Sequence, residues 1–74
     1  MDFSDALDCL KSNKMVTRKG WNGKGMWIKI QIPDENSKMK QPYIYMSPAD
    51  GKLVPWLAAQ ADLLANDWVE VPKE

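Results

Sequence analysis

The 74 residues contain no histidine, and that absence decides much of the available chemistry. Every Ser-His-Asp and Cys-His mechanism and every His-based metal site is excluded, because no side chain present has an unperturbed pKa near neutrality. Cys9 borders an apolar helical stripe, with no base beside it to generate a thiolate, so an inert packing role is expected. Asp62 and Asp67 could form a carboxylate pair, but five residues apart across a helix end they read as a solvated acid and a capping group. No catalytic set emerges, and a binding protein without cofactor or metal is expected.

Three features could hold a ligand. Gly20-Trp21-Asn22-Gly23-Lys24-Gly25 invites comparison with a phosphate-binding loop, yet Gly25 stands where that motif requires Ser or Thr, and a strand pattern follows instead of a helix. Nucleotide hydrolysis is rejected. What remains is either a plain hairpin turn with Trp21 packed across it, or a glycine turn whose N–H groups approach a phosphate beside Lys24. Residues 11 to 29 carry Lys11, Lys14, Arg18, Lys19, Lys24 and Lys29 with no acid, whereas residues 52 to 74 hold two Lys against Asp62, Asp67, Glu70 and Glu74. The net charge of zero therefore hides a dipolar layout. Interleaved with Trp21 and Trp27, the basic stretch could hold single-stranded nucleic acid by phosphate attraction and base stacking. With a single Arg among ten cations and overall neutrality, a compact anion fits better than a polymer. Finally, Trp21, Trp27, Tyr43, Tyr45 and Trp56 could stack on a flat ring such as adenine, or could be buried between subunits. A pocket lying between subunits satisfies both readings.

The elements that must position these groups follow from periodicity. Phe3, Ala6, Leu7 and Leu10 share one helical face, predicting a helix over residues 4–12, capped by Asp2 or Ser4 and left at Lys11 and Asn13. Strands are expected over 15–19 and 26–32, joined at Asn22-Gly23, with Met26, Ile28, Ile30 and Ile32 facing the core and Trp27, Lys29 and Gln31 facing away. Residues 33–42 read as a loop bounded by prolines. Tyr43 to Met46 gives a third strand with both tyrosines outward beside Trp27, and Lys52 to Val54 a short fourth. Leu57, Ala61 and Leu64 predict a helix over about 57–65, and Trp68 to Val71 a last strand with Val69 and Val71 on one face. The fold class is α+β: one domain over residues 1–74, a small antiparallel sheet with an N-terminal helix and a short C-terminal one.

A domain this small buries only about 60% of its unfolded surface, and its core rarely supplies more than about 3 to 5 kcal/mol. One Cys closes no intrachain disulfide, and without His the ligand set does not resemble a structural zinc site. Self-association is the remaining support, so a homo-oligomer is expected. No stretch approaches the roughly 20 apolar residues of a transmembrane helix, and the acidic start Met1-Asp2-Phe3-Ser4-Asp5 is unlike a targeting signal, so a cytoplasmic protein with no membrane partner is expected.

Phe3-Ser4-Asp5-Ala6-Leu7, then Arg18-Lys19-Gly20-Trp21-Asn22-Gly23-Lys24-Gly25-Met26-Trp27, and then Val54-Pro55-Trp56-Leu57 with Gln60-Ala61-Asp62-Leu63-Leu64-Ala65-Asn66-Asp67-Trp68 together resemble the phage Thoeris anti-defence type two proteins. The resemblance covers nearly the whole chain and is weakest through residues 33–42. It implies a small α+β sponge, assembled as a tetramer, that binds the cyclic ADP-ribose isomer used as an alarm signal by bacterial Thoeris immunity and does not cleave it. The host cytoplasm would be its place of action. Carried onto this chain, Trp21 or Trp27 would stack on adenine, with Tyr43, Tyr45 and Trp56 as further rings. Asn22 with Asp62 would meet ribose hydroxyls, Arg18, Lys19 or Lys24 would meet the pyrophosphate, and Gln60 would be a further ligand-binding residue. The chain has Ala59 where family members often place a helix-capping Ser, leaving Gln60 or Asp62 to cover that helix start. A small nucleic-acid-binding or protein-interaction module is the alternative.

Overall fold

The computed structural model describes residues 1–21 and 25–72. The expected turn at Asn22-Gly23 lies outside the described residues.

Helix α1 spans Phe3–Lys11. Asp2 caps it, its carboxylate accepting the Asp5 N–H at 2.9 Å, which satisfies one of the donors that a helix start leaves free. The helix ends on the αL residue Asn13 (φ 64°), and the Lys14 and Asn13 N–H groups donate back to the carbonyls of Cys9 and Leu10. This is the Schellman arrangement, and Asn tolerates the left-handed backbone it demands better than most residues.

Five strands follow: β1 (Met15–Arg18), β2 (Trp27–Gln31), β3 (Tyr43–Ser47), β4 (Val54–Pro55) and β5 (Trp68–Val71), with helix α2 (Gln60–Leu63) between the last two. They form one sheet in the order β4-β3-β2-β1-β5, and all pairs are antiparallel. The final strand therefore passes β4, β3 and β2 to pair with β1, which joins the two sequence regions of opposite charge. Pro55, with no N–H to donate, occupies the edge strand, where its loss costs no ladder bond. On the opposite edge the Trp68 N–H donates to the Met1 carbonyl at 3.1 Å and the Met1 nitrogen donates to the Trp68 carbonyl at 2.8 Å, so the start of the chain covers part of β5.

Helix α1 lies on one face of the sheet. Ala6 and Leu10 from the helix meet Val16, Ile28 and Trp68 from three neighbouring strands, and all five are fully buried. Phe3, Leu7, Cys9, Ile44, Met46 and Ala65 pack around them, which places Cys9 in packing. Because strand side chains alternate, this register sends Trp27, Lys29, Gln31, Tyr43 and Tyr45 to the opposite face, which carries no helix among the described residues.

Three expectations are corrected. The helix predicted over 57–65 is only Gln60–Leu63, because the chain stays committed to the sheet beyond Pro55: the Trp56 N–H donates to the Ile44 carbonyl at 3.0 Å. Ala59 is still extended, and Leu57, expected on the helix's buried face, is 92% exposed. Ile32 does not reach the core, since it lies past the last pair, Gln31 with Tyr43, and is 54% exposed. The fourth strand is Val54–Pro55 and not 52–54.

Candidate ligand-binding site

The structure gathers the candidate residues into two places on opposite sides of the sheet. The first lies where β1 ends beside α2 and β5. Arg18 Nε donates to Asp67 Oδ1 at 2.8 Å, and its Nη1 donates to Asp62 Oδ1 at 2.8 Å. Trp21 Nε1 donates to that same Asp62 oxygen at 3.0 Å, and the Gly20 N–H donates to Asp67 Oδ2 at 2.8 Å. Position 20 is closely approached: a Cβ there would stand 2.8 Å from Asp67 Oδ2 and 3.3 Å from an Arg18 nitrogen, so any other residue would have to displace the Asp67 carboxylate. The hydrogen bonds that Arg18 donates to Asp67 and then to Asp62 raise its pKa above the usual value. Burial pushes the Asp62 carboxyl up, but the hydrogen bonds from Arg18 and Trp21 outweigh it and its pKa is lowered. The Arg18 hydrogen bond likewise holds Asp67 below its usual value. Two ionised carboxylates face one guanidinium, so these three side chains together carry one net negative charge. That corrects the reading of Asp62 and Asp67 as a solvated acid and a cap, and it leaves Arg18 committed within the fold.

Trp21 is also not on an outward surface shared with Trp27. Its ring meets Trp68 edge-on at 5.3 Å, on the helix side of the sheet. Trp56 joins the same group, 5.9 Å from Phe3 and 6.1 Å from Trp68. The five aromatics expected to form one set are thus divided, two around Trp68 and three on the open face. Ala59 offers no side-chain cap to α2, and Asp62, three positions on, faces the Ala59 backbone. Gln60 is the exposed first residue of that helix, and Lys19 is exposed beside Gly20. Asn22 and Lys24 lie outside the described residues.

The second place is the open face itself. Trp27 and Tyr45 meet edge to face at 5.9 Å, and Lys29 is the direct cross-strand partner of Tyr45. Shallow depressions surround this pair. One of about 210 Å³ is lined by Gln31, Tyr43, Tyr45, Leu53, Val54 and Pro55. Another, of about 340 Å³, is lined by Met15, Gly25, Trp27, Val71 and Pro72. A third, of about 350 Å³, holds Lys14, Met15, Lys29, Glu70 and Val71 with the helix exit at Ser12 and Asn13. These sit at or below the lower end of the roughly 300 to 1,000 Å³ typical of small-molecule pockets. They offer π faces and a cation but little enclosure. Among the described residues no group of Cys, Asp and Glu is arranged to hold a metal ion, and no helix is long and apolar enough to cross a membrane.

Sequence reasoning missed Asp67 and Gly20 as partners of Arg18; it set Lys29 on the face of Trp27, as found, but did not count it among the ligand-binding residues. Lys29 was visible as a residue in phase with Trp27. The Arg18 cluster was visible only as opposite charges in two strings 44 residues apart, which no local rule connects.

Residues 1–71, a span that contains both places, match the model of the Thoeris anti-defense 2-like domain. The chain is also similar to a protein of Bacillus phage SP01 named Thoeris anti-defense 2, with 33% identity over 81 aligned positions that cover 92% of this chain and 91% of that one. The family match over residues 1–71 includes the helix, the whole sheet and the Arg18 cluster. The chain therefore belongs to the Thoeris anti-defense 2-like family of phage proteins, and anti-Thoeris action is the function that this family carries.

Proposed function

We propose that the protein defeats Thoeris immunity by sequestration: it binds the cyclic ADP-ribose isomer that serves as the alarm signal, glycocyclic ADP-ribose, and holds it uncleaved. The observation that carries this reading is the open sheet face, where Trp27 and Tyr45 present a ring-stacking surface beside a cation, bordered by depressions too shallow to enclose a dinucleotide-sized ligand alone. A second copy laid over that face would supply the missing wall and bury the remaining surface of these half-buried rings. The active form in this reading is a homo-oligomer, a tetramer in keeping with the family resemblance, working in the host cytoplasm.

Within this site Trp27 stacks on adenine, with Tyr45 and Tyr43 flanking it. Lys19, Asn22, Lys24 and Gln60, together with Trp21, Trp56 and the Arg18–Asp62 pair on the far side of the sheet, are the further candidates for contact, reached if copies pack around both sides. No acid–base pair or nucleophile is needed, because retention alone silences the effector. Effective sequestration requires protein in excess of signal and nanomolar affinity, about 12 kcal/mol.

The test is capture and release. Purified protein is incubated with the signal, freed of unbound ligand by filtration and heated, and the released material is analysed by mass spectrometry. Recovery of the unaltered cyclic nucleotide, at a stoichiometry set by the assembly, supports sequestration. Release of a hydrolysed product would make the protein an enzyme, and absence of capture combined with salt-sensitive oligonucleotide binding would make it a nucleic-acid-binding module.

A further inference from the structure

We infer that residues 57–64 form a strap that opens as a unit while the sheet and α1 stay folded, with Asp62 as the latch that holds it closed. Sequestration neither requires nor excludes this motion, so the two stand or fall separately.

The strap is fixed at both ends. Before it, the Trp56 N–H donates to the Ile44 carbonyl at 3.0 Å and ties the chain to β3. After it, Ala65 packs against the core, and the Asp67 carboxylate accepts from Arg18 Nε and from the Gly20 N–H at 2.8 Å each, while the Lys19 N–H donates to the Asp67 carbonyl at 3.2 Å. Between these anchors every residue except Asp62 is exposed, Leu57 by 92% and Leu64 by 79%. Among the described residues, every hydrogen bond from the strap to the rest of the molecule is made at Asp62. Its Oδ1 accepts from Arg18 Nη1 at 2.8 Å and from Trp21 Nε1 at 3.0 Å, and its carbonyl accepts from Trp68 Nε1 at 2.9 Å.

That distribution decides what holds the strap. Opening uncovers little apolar surface, since its leucines already face water, so hydrophobic burial resists the motion only weakly. Helix α2 does not hold itself, being a single turn with no side-chain cap. Release also returns conformational freedom to the whole segment. What remains is the latch: a guanidinium and an indole donate to one carboxylate oxygen, with the Arg18 and Asp62 side chains mostly shielded from solvent, where charge-assisted bonds are strong. Opening frees the indole N–H groups of Trp21 and Trp68 together. The closed and open forms therefore present different surfaces beside the Trp21–Trp68 pair.

The experiment is amide hydrogen exchange followed by nuclear magnetic resonance on the full chain in its native assembly, over a series of urea concentrations below the unfolding transition. The reporters are the N–H groups of Asp62, Leu63 and Leu64, which donate to the carbonyls of Ala59 and Gln60 within the strap. The β2 and β3 amides serve as reference. In the wild type the three reporters are expected to be protected, yet to exchange about tenfold or more faster than the reference, with little dependence on urea because little surface is exposed in opening. Asp62→Ala is expected to speed them about tenfold to a hundredfold relative to the reference, the range for hydrogen bonds to a charged group. Trp21→Phe removes one donor to the latch and leaves the strap's own bonds intact, so it should speed all three reporters by a common smaller factor, whereas an isolated helical turn would not respond. Ile28→Val, which weakens the core, should speed the reference amides and leave the reporters at their wild-type rates.

Three results would overturn the inference. Reporters that exchange unprotected in the wild type mean that nothing is latched. Reporters that share the rates and urea slope of β2 and β3 mean that the segment opens only when the whole fold does, a result that needs no variant to fold. Reporters unmoved, relative to the reference, in both Asp62→Ala and Trp21→Phe mean that Asp62 is not what holds the strap.

Discussion

Trp68 is the residue on which the helix side of the fold converges, and replacing it with Phe tests that account quantitatively. It is fully buried, its ring lies 5.4 Å from Phe3 and 5.3 Å from Trp21, and its indole N–H donates to the Asp62 carbonyl at 2.9 Å. Phe keeps an aromatic ring but removes the donor, and leaving that carbonyl unpaired costs about 1 to 3 kcal/mol. The smaller ring vacates roughly 40 Å³, worth about 1 kcal/mol at the usual cavity cost. A loss of about 2 to 4 kcal/mol is large against the roughly 4 to 11 kcal/mol expected for a chain of this length. It corresponds to a fall in Tm on the order of 10 to 30 °C. Urea titration at neutral pH, followed by far-UV circular dichroism at several protein concentrations, measures it, with Trp27→Phe on the open face as the control and expected to stay within about 0.5 kcal/mol of wild type in dilute solution. If Trp68→Phe is as stable as wild type, or Trp27→Phe is equally damaging, the assignment of the two faces is wrong.

Because the Asp62 and Asp67 pKa values are lowered in the fold, the unfolded chain binds more protons than the native one as acid is added. Their stabilisation is present above the usual carboxylate value of about 4 and is lost as pH falls through the lower folded values. Urea midpoints should therefore be flat near neutrality and fall below about pH 4, with a shallower fall in Asp62→Asn; an unchanged acid limb in that variant would refute the clamp. Gly20→Ala should lower the thermal midpoint although it changes no charge, since its Cβ would displace the Asp67 carboxylate from 2.8 Å; wild-type stability in this variant would contradict the close approach. Asp2→Ala, which deletes the cap on α1, should cost about 0.5 to 2 kcal/mol in the same urea assay. Trp27→Ala and Tyr45→Ala should each abolish or greatly weaken retention of the cyclic nucleotide in the capture assay while the isolated chain stays folded, because neither ring belongs to the buried core. Full retention by both would move the ligand off the open face.

Local sequence sufficed wherever a short-range rule governs the backbone. The Phe3–Lys11 helix followed from the spacing of Phe3, Ala6, Leu7 and Leu10 and from its Asp2 cap. The alternation in 26–32 and 43–46 correctly set Trp27 and Tyr45 on one face and Ile28, Ile44 and Met46 on the other, because strand periodicity is a property of the chain itself. The α+β class and the family strings were legible for the same reason. What tertiary structure alone decided was which distant segments meet. Pairing β5 with β1 brings Asp67 to Arg18 and carries Trp68 into the core, a contact between residues 49 positions apart that no local pattern encodes. That pairing draws Trp21 to Trp68 and away from Trp27, and turns an apparently free arginine into a neutralised one. The Leu57 to Leu64 pattern misled because helical periodicity describes an amphipathic segment, whereas a helix of this length forms only with packing to support it, and here the sheet keeps hold of the chain until Trp56.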